Sequence, residues 1–384
     1  IKVCYHHGFS KIILLNRKVM MLDNIKTITK IDKEFLLRHI SRFDEQCQDA
    51  IEIAKSCSNL SKPKKIQNIV ILGMGGSAIG GDLLKTLLIN ECPLPIIVNR
   101  NYNLPQFVNE KSLVFAISYS GNTEETLTAF KEVLKRKSKV VVIASGGRLA
   151  FLANRQKIPL VKIPSGIPPR AALGYLFFPM IIFLQKWNII ENQTINILEA
   201  INTIQKQEEK YNTEKSVSDN RAKELAMKLH KKIPFVIGIE DLTDVVALRW
   251  KCQFSESSKK FAFTQLYPEL GHNDVEGWKG IGKLSKNLVA LFLRSSDESE
   301  DTVTRIGTLK TFLKNHVSEI IDVKENGSGR LSQIFSLCHL GDYVSFYLSV
   351  LNKVDPTPVS NIDALKEKLR DQKRKALKSH AKAF

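Results

Sequence analysis

Two stretches of the chain put small hydrogen-bonding residues where an anion could be held. Gly73-Met74-Gly75-Gly76-Ser77-Ala78-Ile79-Gly80-Gly81-Asp82 follows the apolar run at 68–72, and Ser118-Tyr119-Ser120-Gly121-Asn122-Thr123-Glu124-Glu125-Thr126 follows the run at 113–117. In the first, glycines let backbone N–H groups turn toward a phosphate at a helix N-terminus, where unpaired donors and the helix dipole favour negative charge. In the second, hydroxyls and a glycine crowd the C-terminal end of a strand just before a helix, the place where open α/β sheets bind ligands. Gly73-x-Gly75-x-x-Ala78 also fits the dinucleotide fingerprint, but the second strand ends Val98-Asn99-Arg100, without the acidic residue that would hold a ribose. Plainer roles stand beside these. The glycines could simply admit close helix packing, and Asn122 or Thr123 is expected to cap the following helix, which leaves Ser118 and Ser120 unemployed.

Further along, Arg170, Glu256 and His272 have the types needed for proton chemistry. Read alone, Glu256 beside Lys259 and Lys260 has the surroundings of a solvated salt-bridge partner, and Arg170 those of a surface charge. His272 lies among Gly271, Asn273 and Asp274, which is loop chemistry rather than an apolar face. The other seven histidines show no metal-ligand spacing. Six cysteines, at 4, 47, 57, 92, 252 and 338, form no C-x-x-C pair, so neither a zinc site nor a disulfide framework is suggested and a reducing cytoplasm fits.

The elements that must position these residues alternate. Short β-branched runs recur at 68–72, 96–99, 113–117, 139–143 and 159–163, with helical stripes between them such as Leu83, Leu84, Leu87 and Leu88. After a polar stretch at 203–232 the pattern restarts with strands at 234–239, 287–293 and 319–323 and helical runs near 243–254, 299–314 and 329–351. Strand–helix alternation of this kind predicts parallel sheets covered on both faces. The fold class is therefore α/β, with two doubly wound parallel-sheet halves and flanking helices.

Length and charge bound the rest. A chain of 384 residues with 43% hydrophobic and 25% charged residues can bury a large core, which rules out disorder and small disulfide scaffolds. The net charge of +18 invites a nucleic-acid partner until its distribution is read: residues 1–20 carry +4 and residues 361–384 carry +5, so half the excess sits at the two ends. The longest apolar run, Leu173–Leu184, is 12 residues with Pro179 inside it, short of a membrane span. Neither a nucleic-acid nor a membrane partner is expected.

The motifs in series resemble those of the bifunctional phosphoglucose/phosphomannose isomerases of archaea and some bacteria, built from sugar isomerase domains. Besides the two loops, the resemblance rests on Pro169-Arg170-Ala171-Ala172-Leu173-Gly174-Tyr175, Ser255-Glu256-Ser257-Ser258-Lys259, Pro268-Glu269-Leu270-Gly271-His272-Asn273-Asp274 and Val354-Asp355-Pro356-Thr357-Pro358-Val359. These run in order from about residue 65 to 370, with Glu256 and His272 separated by the family's 16 positions. The resemblance implies that Gly76, Ser77, Ser118, Ser120 and Thr123 hold a sugar phosphate and that Arg170 stands beside the enediolate. Glu256 would move the proton between the first two sugar carbons. His272 would help open the ring, donated by the neighbouring subunit of a homodimer, with Thr357 and Lys366 assisting. No cofactor and no metal are implied. Ser255 and Ser257 stand where the family commonly has Asn, and Gly271 where Asn is expected.

The expected organisation is a disordered extension at 1–20 ahead of a start at Met20 or Met21, then an N-terminal helix at 32–57 and a first sugar isomerase subdomain at 62–200. A connecting helix at 201–232, a second subdomain at 233–370 with the catalytic Glu and His, and a basic tail at 371–384 complete it. The alternative is a non-catalytic sugar-phosphate-binding regulatory module of the same fold. Such a module could dispense with Glu256, His272 and Arg170, and this chain keeps all three.

Overall fold

The computed structural model describes residues 16–57, 60–325 and 327–382. The first sheet comprises β1 (Asn68–Leu72), β2 (Ile96–Asn99), β3 (Ser112–Ile117), β4 (Lys139–Ala144) and β5 (Leu160–Lys162) in the order β2-β1-β3-β4-β5, all parallel. The second comprises β6 (Ile233–Ile239), β7 (Phe263–Tyr267), β8 (Leu288–Leu293) and β9 (Glu319–Val323) in the order β7-β6-β8-β9, again all parallel. The expected α/β class and the two parallel sheets are therefore observed.

Side chains alternate across each strand and sort the interior into three clusters. In β1, Ile69 and Ile71 face a large central core, whereas Val70 and Leu72 face the outer layer of the first sheet. In β8, Val289, Leu291 and Leu293 face the same central core, and Ala290 and Phe292 face the outer layer of the second sheet. One core thus lies between the two sheets. Its axis is a helix at Arg330–Asn352, buried along its length. That helix is long and apolar enough to cross a bilayer by length and composition, and here it is wholly enclosed by protein.

The main helices after residue 24, in chain order, are α1 (Ile25–Ile31), α2 (Leu36–Ser41), α3 (Phe43–Ser56), α4 (Gly76–Leu88), α5 (Glu124–Lys135), α6 (Gly147–Arg155) and α7 (Leu173–Lys186). They continue with α8 (Thr194–Tyr211), α9 (Arg221–Leu229), α10 (Asp244–Glu256), α11 (Glu300–Leu313), the axial helix α12 and α13 (Ser360–Lys382). α8, α9 and α10 pack on α12, and α4 packs on both α7 and α10, which joins the two halves.

Several expected boundaries shift for local reasons. Of the presumed extension at 1–20, residues 1–15 lie outside the described residues and 16–20 are helical, in a helix that runs on to the fully buried Leu22. The helix expected at 32–57 is α2 and α3. The Asp32 carboxylate accepts the N–H groups of Leu36 (2.8 Å) and Leu37 (3.0 Å), so the first turn starts only after it. The connecting helix at 201–232 is α8 and α9, interrupted where the Asn220 side chain donates to the carbonyls of Tyr211 and Asn212 and accepts from the N–H of Lys223 to cap α9. The basic tail at 371–384 is not a separate segment up to Lys382, because α13 runs through it. β7 has no counterpart among the expected strands: it is an edge strand whose polar, half-exposed residues make no apolar run.

Glu208 of α8 reaches the Tyr343 hydroxyl of α12, and burial raises its pKa from the ordinary 4.5 to about 6. A carboxyl so raised contributes stability that is complete below pH 4.5 and lost as pH rises through about 6. Glu208→Gln keeps an acceptor for Tyr343 without a charge. Thermal unfolding should show the variant more stable than wild type near neutral pH, by on the order of 1–2 kcal/mol, and equal to it near pH 4. A variant less stable at neutral pH would contradict the assignment.

Candidate active site

In the first sheet the chain order reverses between β1 and β3, and the crevice outside their C-terminal ends holds both glycine- and hydroxyl-rich loops. Gly75, at φ +52° and ψ −126°, turns the first loop into α4, a conformation that favours glycine. Ser77 Oγ accepts the N–H of Tyr119 at 3.1 Å, so the two loops are tied to each other. Ser118 Oγ lies 3.0 Å from Thr123 Oγ1. Thr123 occupies the N-cap position of α5 without a capping hydrogen bond from its side chain, and Asn122 is engaged elsewhere, accepting from the N–H of Arg148 and donating to the Ser120 carbonyl. The expected side-chain cap is therefore absent, because Thr123 turns its hydroxyl to Ser118. Ser120, exposed, accepts from the N–H of Asn122 at 3.3 Å.

The matching reversal in the second sheet, between β6 and β8, carries different chemistry. Glu240, Asp241 and Asp244 stand at the end of β6, with burial raising the carboxyl pKa of Glu240 and Asp244. Such a cluster of carboxylates disfavours an anion.

The glycine-packing role also holds for the first loop. A Cβ on Gly76 would come within 2.8 Å of the Pro169 carbonyl oxygen, and one on Gly80 within 2.7 Å of that of Leu176. Gly76 thereby seats the start of α4 directly on the 3-10 turn Pro169–Ala171, which carries Arg170.

Arg170 is not a surface charge: it is 6% exposed. Its Nε donates to Ser257 Oγ at 3.1 Å, and its Nη2 donates to the carbonyls of Pro356 (2.6 Å) and Thr357 (2.8 Å). Nη1 is left facing Glu256, with 3.6 Å to Oε2. That separation is longer than a charge-assisted hydrogen bond, so neither group saturates the other. Burial lowers the Arg170 pKa, with Glu256 opposing the shift; a guanidinium stays charged regardless. Glu256 ends α10 with its side chain 32% exposed and lines a cavity of about 450 Å³ together with Lys259, Phe261, Val359 and Ile362. Lys259 is no salt-bridge partner of the Glu256 carboxylate. Its Nζ donates instead to the carbonyls of Glu256 and Pro358, binding the end of α10 to the loop at 355–358.

The Thr357 Oγ1 is buried without a partner, next to the carbonyl that Arg170 holds. Lys366 is exposed on α13. That helix begins at the Glu256 cavity, with Ser360 and Ile362 in its lining, and reaches the start of α5, where Lys373 pairs with Glu124. Lys366, two turns before Lys373 and on the same face, lies along the span between the two loops and Glu256. His272 is not brought to this cluster within one chain: it follows the turn Glu269–Gly271, is exposed, and does not line the Glu256 cavity.

Comparison with known proteins gives this arrangement a family. A model described as the bacterial phospho-glucose isomerase C-terminal SIS domain matches residues 218–369, and the SIS domain model matches 63–150. A bifunctional phosphoglucose/phosphomannose isomerase of Caldicellulosiruptor bescii is 40% identical over 342 residues, covering 88% of this chain and 100% of the relative. The chain belongs to the bifunctional phosphoglucose/phosphomannose isomerase family. A second family member, from Thermoplasma acidophilum, is 33% identical over 303 residues, covering 79% of this chain and 89% of its own. The family fold extends to a hypothetical protein of Thermus thermophilus, with a TM-score of 0.68 at 15% identity, covering 97% of this chain and 96% of the other.

Sequence reasoning missed Arg249 and Asp342, which hold the Arg170 turn from behind, and the apolar lining residues Phe261 and Ile362. Ser257 was noticeable only as a departure from Asn. Asp342, the one acidic residue of the buried helix α12, was a signal in plain view, since a buried carboxylate there needs a partner.

Proposed function

We propose that this protein is an aldose–ketose isomerase that interconverts fructose 6-phosphate with glucose 6-phosphate, mannose 6-phosphate or both through a cis-enediolate. The observation that carries the reading is the Glu256 carboxylate 3.6 Å from a buried guanidinium whose supporting turn rests on the first phosphate loop. Gly76 and Ser77 with Ser118, Ser120 and Thr123 hold the phosphate, so that binding energy at the remote end fixes the reacting carbons against Glu256. Glu256 removes the proton from one carbon and returns it to its neighbour, and Arg170 Nη1 stabilises the charge that develops on the enediolate oxygen. A proton moves between adjacent carbons and the sugar's oxidation is internal, so the step calls for no redox cofactor.

Ring opening falls to His272 of a second copy, with Thr357 and Lys366 assisting. The exposure of His272 away from its own Glu256 supports donation across a homodimer, and the unpaired Thr357 Oγ1 supports contact with a sugar hydroxyl. Phe261 and Phe263, 67% and 45% exposed beside the same cavity, supply apolar surface for a subunit contact. A reducing cytoplasmic setting is part of the reading, and Cys47, Cys57, Cys92, Cys252 and Cys338 are free thiols.

Purified protein given fructose 6-phosphate in metal-free buffer should form aldose 6-phosphates, identified by chromatography. Glu256→Gln should lower turnover by at least about 100-fold while retaining affinity for a non-reacting sugar phosphate, because the amide keeps shape and loses basicity. Turnover within roughly tenfold of wild type would remove Glu256 from the role of base.

Subunit donation has its own test. Inactive Glu256→Gln and His272→Ala proteins, mixed with proven subunit exchange, form dimers in which one site of two is intact. Activity should recover to roughly a quarter of wild type if the sites act independently. No recovery would place both residues in one chain's site.

A further inference from the structure

The reach of Arg170 toward Glu256 is set by its backbone as much as by its side chain, and that backbone is held from behind. The Arg170 carbonyl accepts a hydrogen bond from Nη2 of Arg249 at 3.0 Å. The same nitrogen lies 2.9 Å and 2.6 Å from the two carboxylate oxygens of Asp342, and Gln253 donates to Asp342 as well. Arg249 comes from α10, seven residues before Glu256, and Asp342 from the axial helix α12. Their side chains are 4% and 7% exposed. On the other side of the turn, Gln46 of α3 donates to the Ala171 carbonyl at 2.8 Å.

Burying such a pair costs about as much desolvation as its attraction returns, so stability alone gives no account of it. The pair also tolerates a defect, since Arg249 Nε is buried without a partner. The guanidinium is placed to bridge Asp342 and the Arg170 carbonyl, at the expense of one of its own hydrogen bonds.

We infer that Arg249 and Asp342 are positioning residues for Arg170: the pair fixes the Pro169–Ala171 turn on the same helix that ends in Glu256, and so sets the guanidinium-to-carboxylate geometry. The inference rests on the isomerase reading above. Neither residue touches substrate. Loss of the pair should leave the phosphate end intact and loosen only the enediolate end.

The double variant Arg249→Met/Asp342→Leu removes both charges together and avoids leaving one buried and unpaired. Three quantities are compared with wild type: kcat and KM for fructose 6-phosphate, affinity for arabinonate 5-phosphate, whose carboxylate stands in for the enediolate oxygens, and affinity for sorbitol 6-phosphate, which carries no such charge. Loosened geometry predicts kcat and arabinonate 5-phosphate affinity each reduced by roughly tenfold or more, with KM and sorbitol 6-phosphate affinity within about twofold. If kcat and arabinonate 5-phosphate affinity stay near wild type, or if both probes weaken together, the proposal is overturned. Should the double variant not fold, Arg249→Lys keeps the charge pairing but not the fork, and the same pattern of kcat and probe affinities decides. Wild-type protein inactive on fructose 6-phosphate would defeat the isomerase reading, whereas the comparison of the two probes would still decide whether the pair positions Arg170.

Discussion

Arg170 is buried where four segments meet, and a buried guanidinium must find an acceptor for its N–H groups or carry a large desolvation penalty. That requirement organises the site. Ser257 at the end of α10 and the carbonyls of Pro356 and Thr357 each take an N–H, which draws the loop before α13 onto the end of α10 and leaves Nη1 aimed at Glu256. The turn bearing Arg170 in turn touches Gly76 at the start of α4, so the loop crevice of the first sheet and the carboxylate that ends α10 share one junction. In the proposed reading, a sugar phosphate held at one end presents its reacting carbons at the other only if that junction holds.

The two sheets have the same architecture and unlike crevices. Hydroxyls and backbone N–H groups line the reversal in the first, and three carboxylates stand at the reversal in the second. The second half contributes instead the end of α10, with Glu256, and the loop and helix that follow α12. In the proposed reading one half binds and the other reacts, and the two share the core around α12.

The strands and helices were legible because parallel strands buried on both faces read as apolar runs and the helices between them carry stripes; β7 was not, since an edge strand with Thr264 and Gln265 on it has no such run. The two loops could be located from residue type, since glycines and hydroxyls follow the strands β1 and β3 directly. The capping role given to Asn122 and Thr123 was not realised, because local propensity does not reveal that Ser118 would take the Thr123 hydroxyl. Glu256 and Arg170, each bland in sequence, gained meaning only from the motif series, and their mutual approach spans 86 residues of chain that no local pattern encodes. Asp342 and Arg249 make the complementary case, two charges buried on different helices whose pairing is a tertiary fact.

If Glu256 carries a proton between adjacent carbons beside the Arg170 guanidinium, as proposed, solvent deuterium must enter the sugar. Fructose 6-phosphate turned over in D2O should acquire deuterium on the carbon that gains the proton, detected by NMR in substrate and product pools, because a carboxylic acid formed at Glu256 exchanges with solvent during some turnovers. Wild-type enzyme should incorporate measurable deuterium, and Glu256→Gln none above background. Sustained interconversion by wild-type enzyme with no solvent deuterium in either pool would point to hydride transfer and remove Glu256 from the role of base.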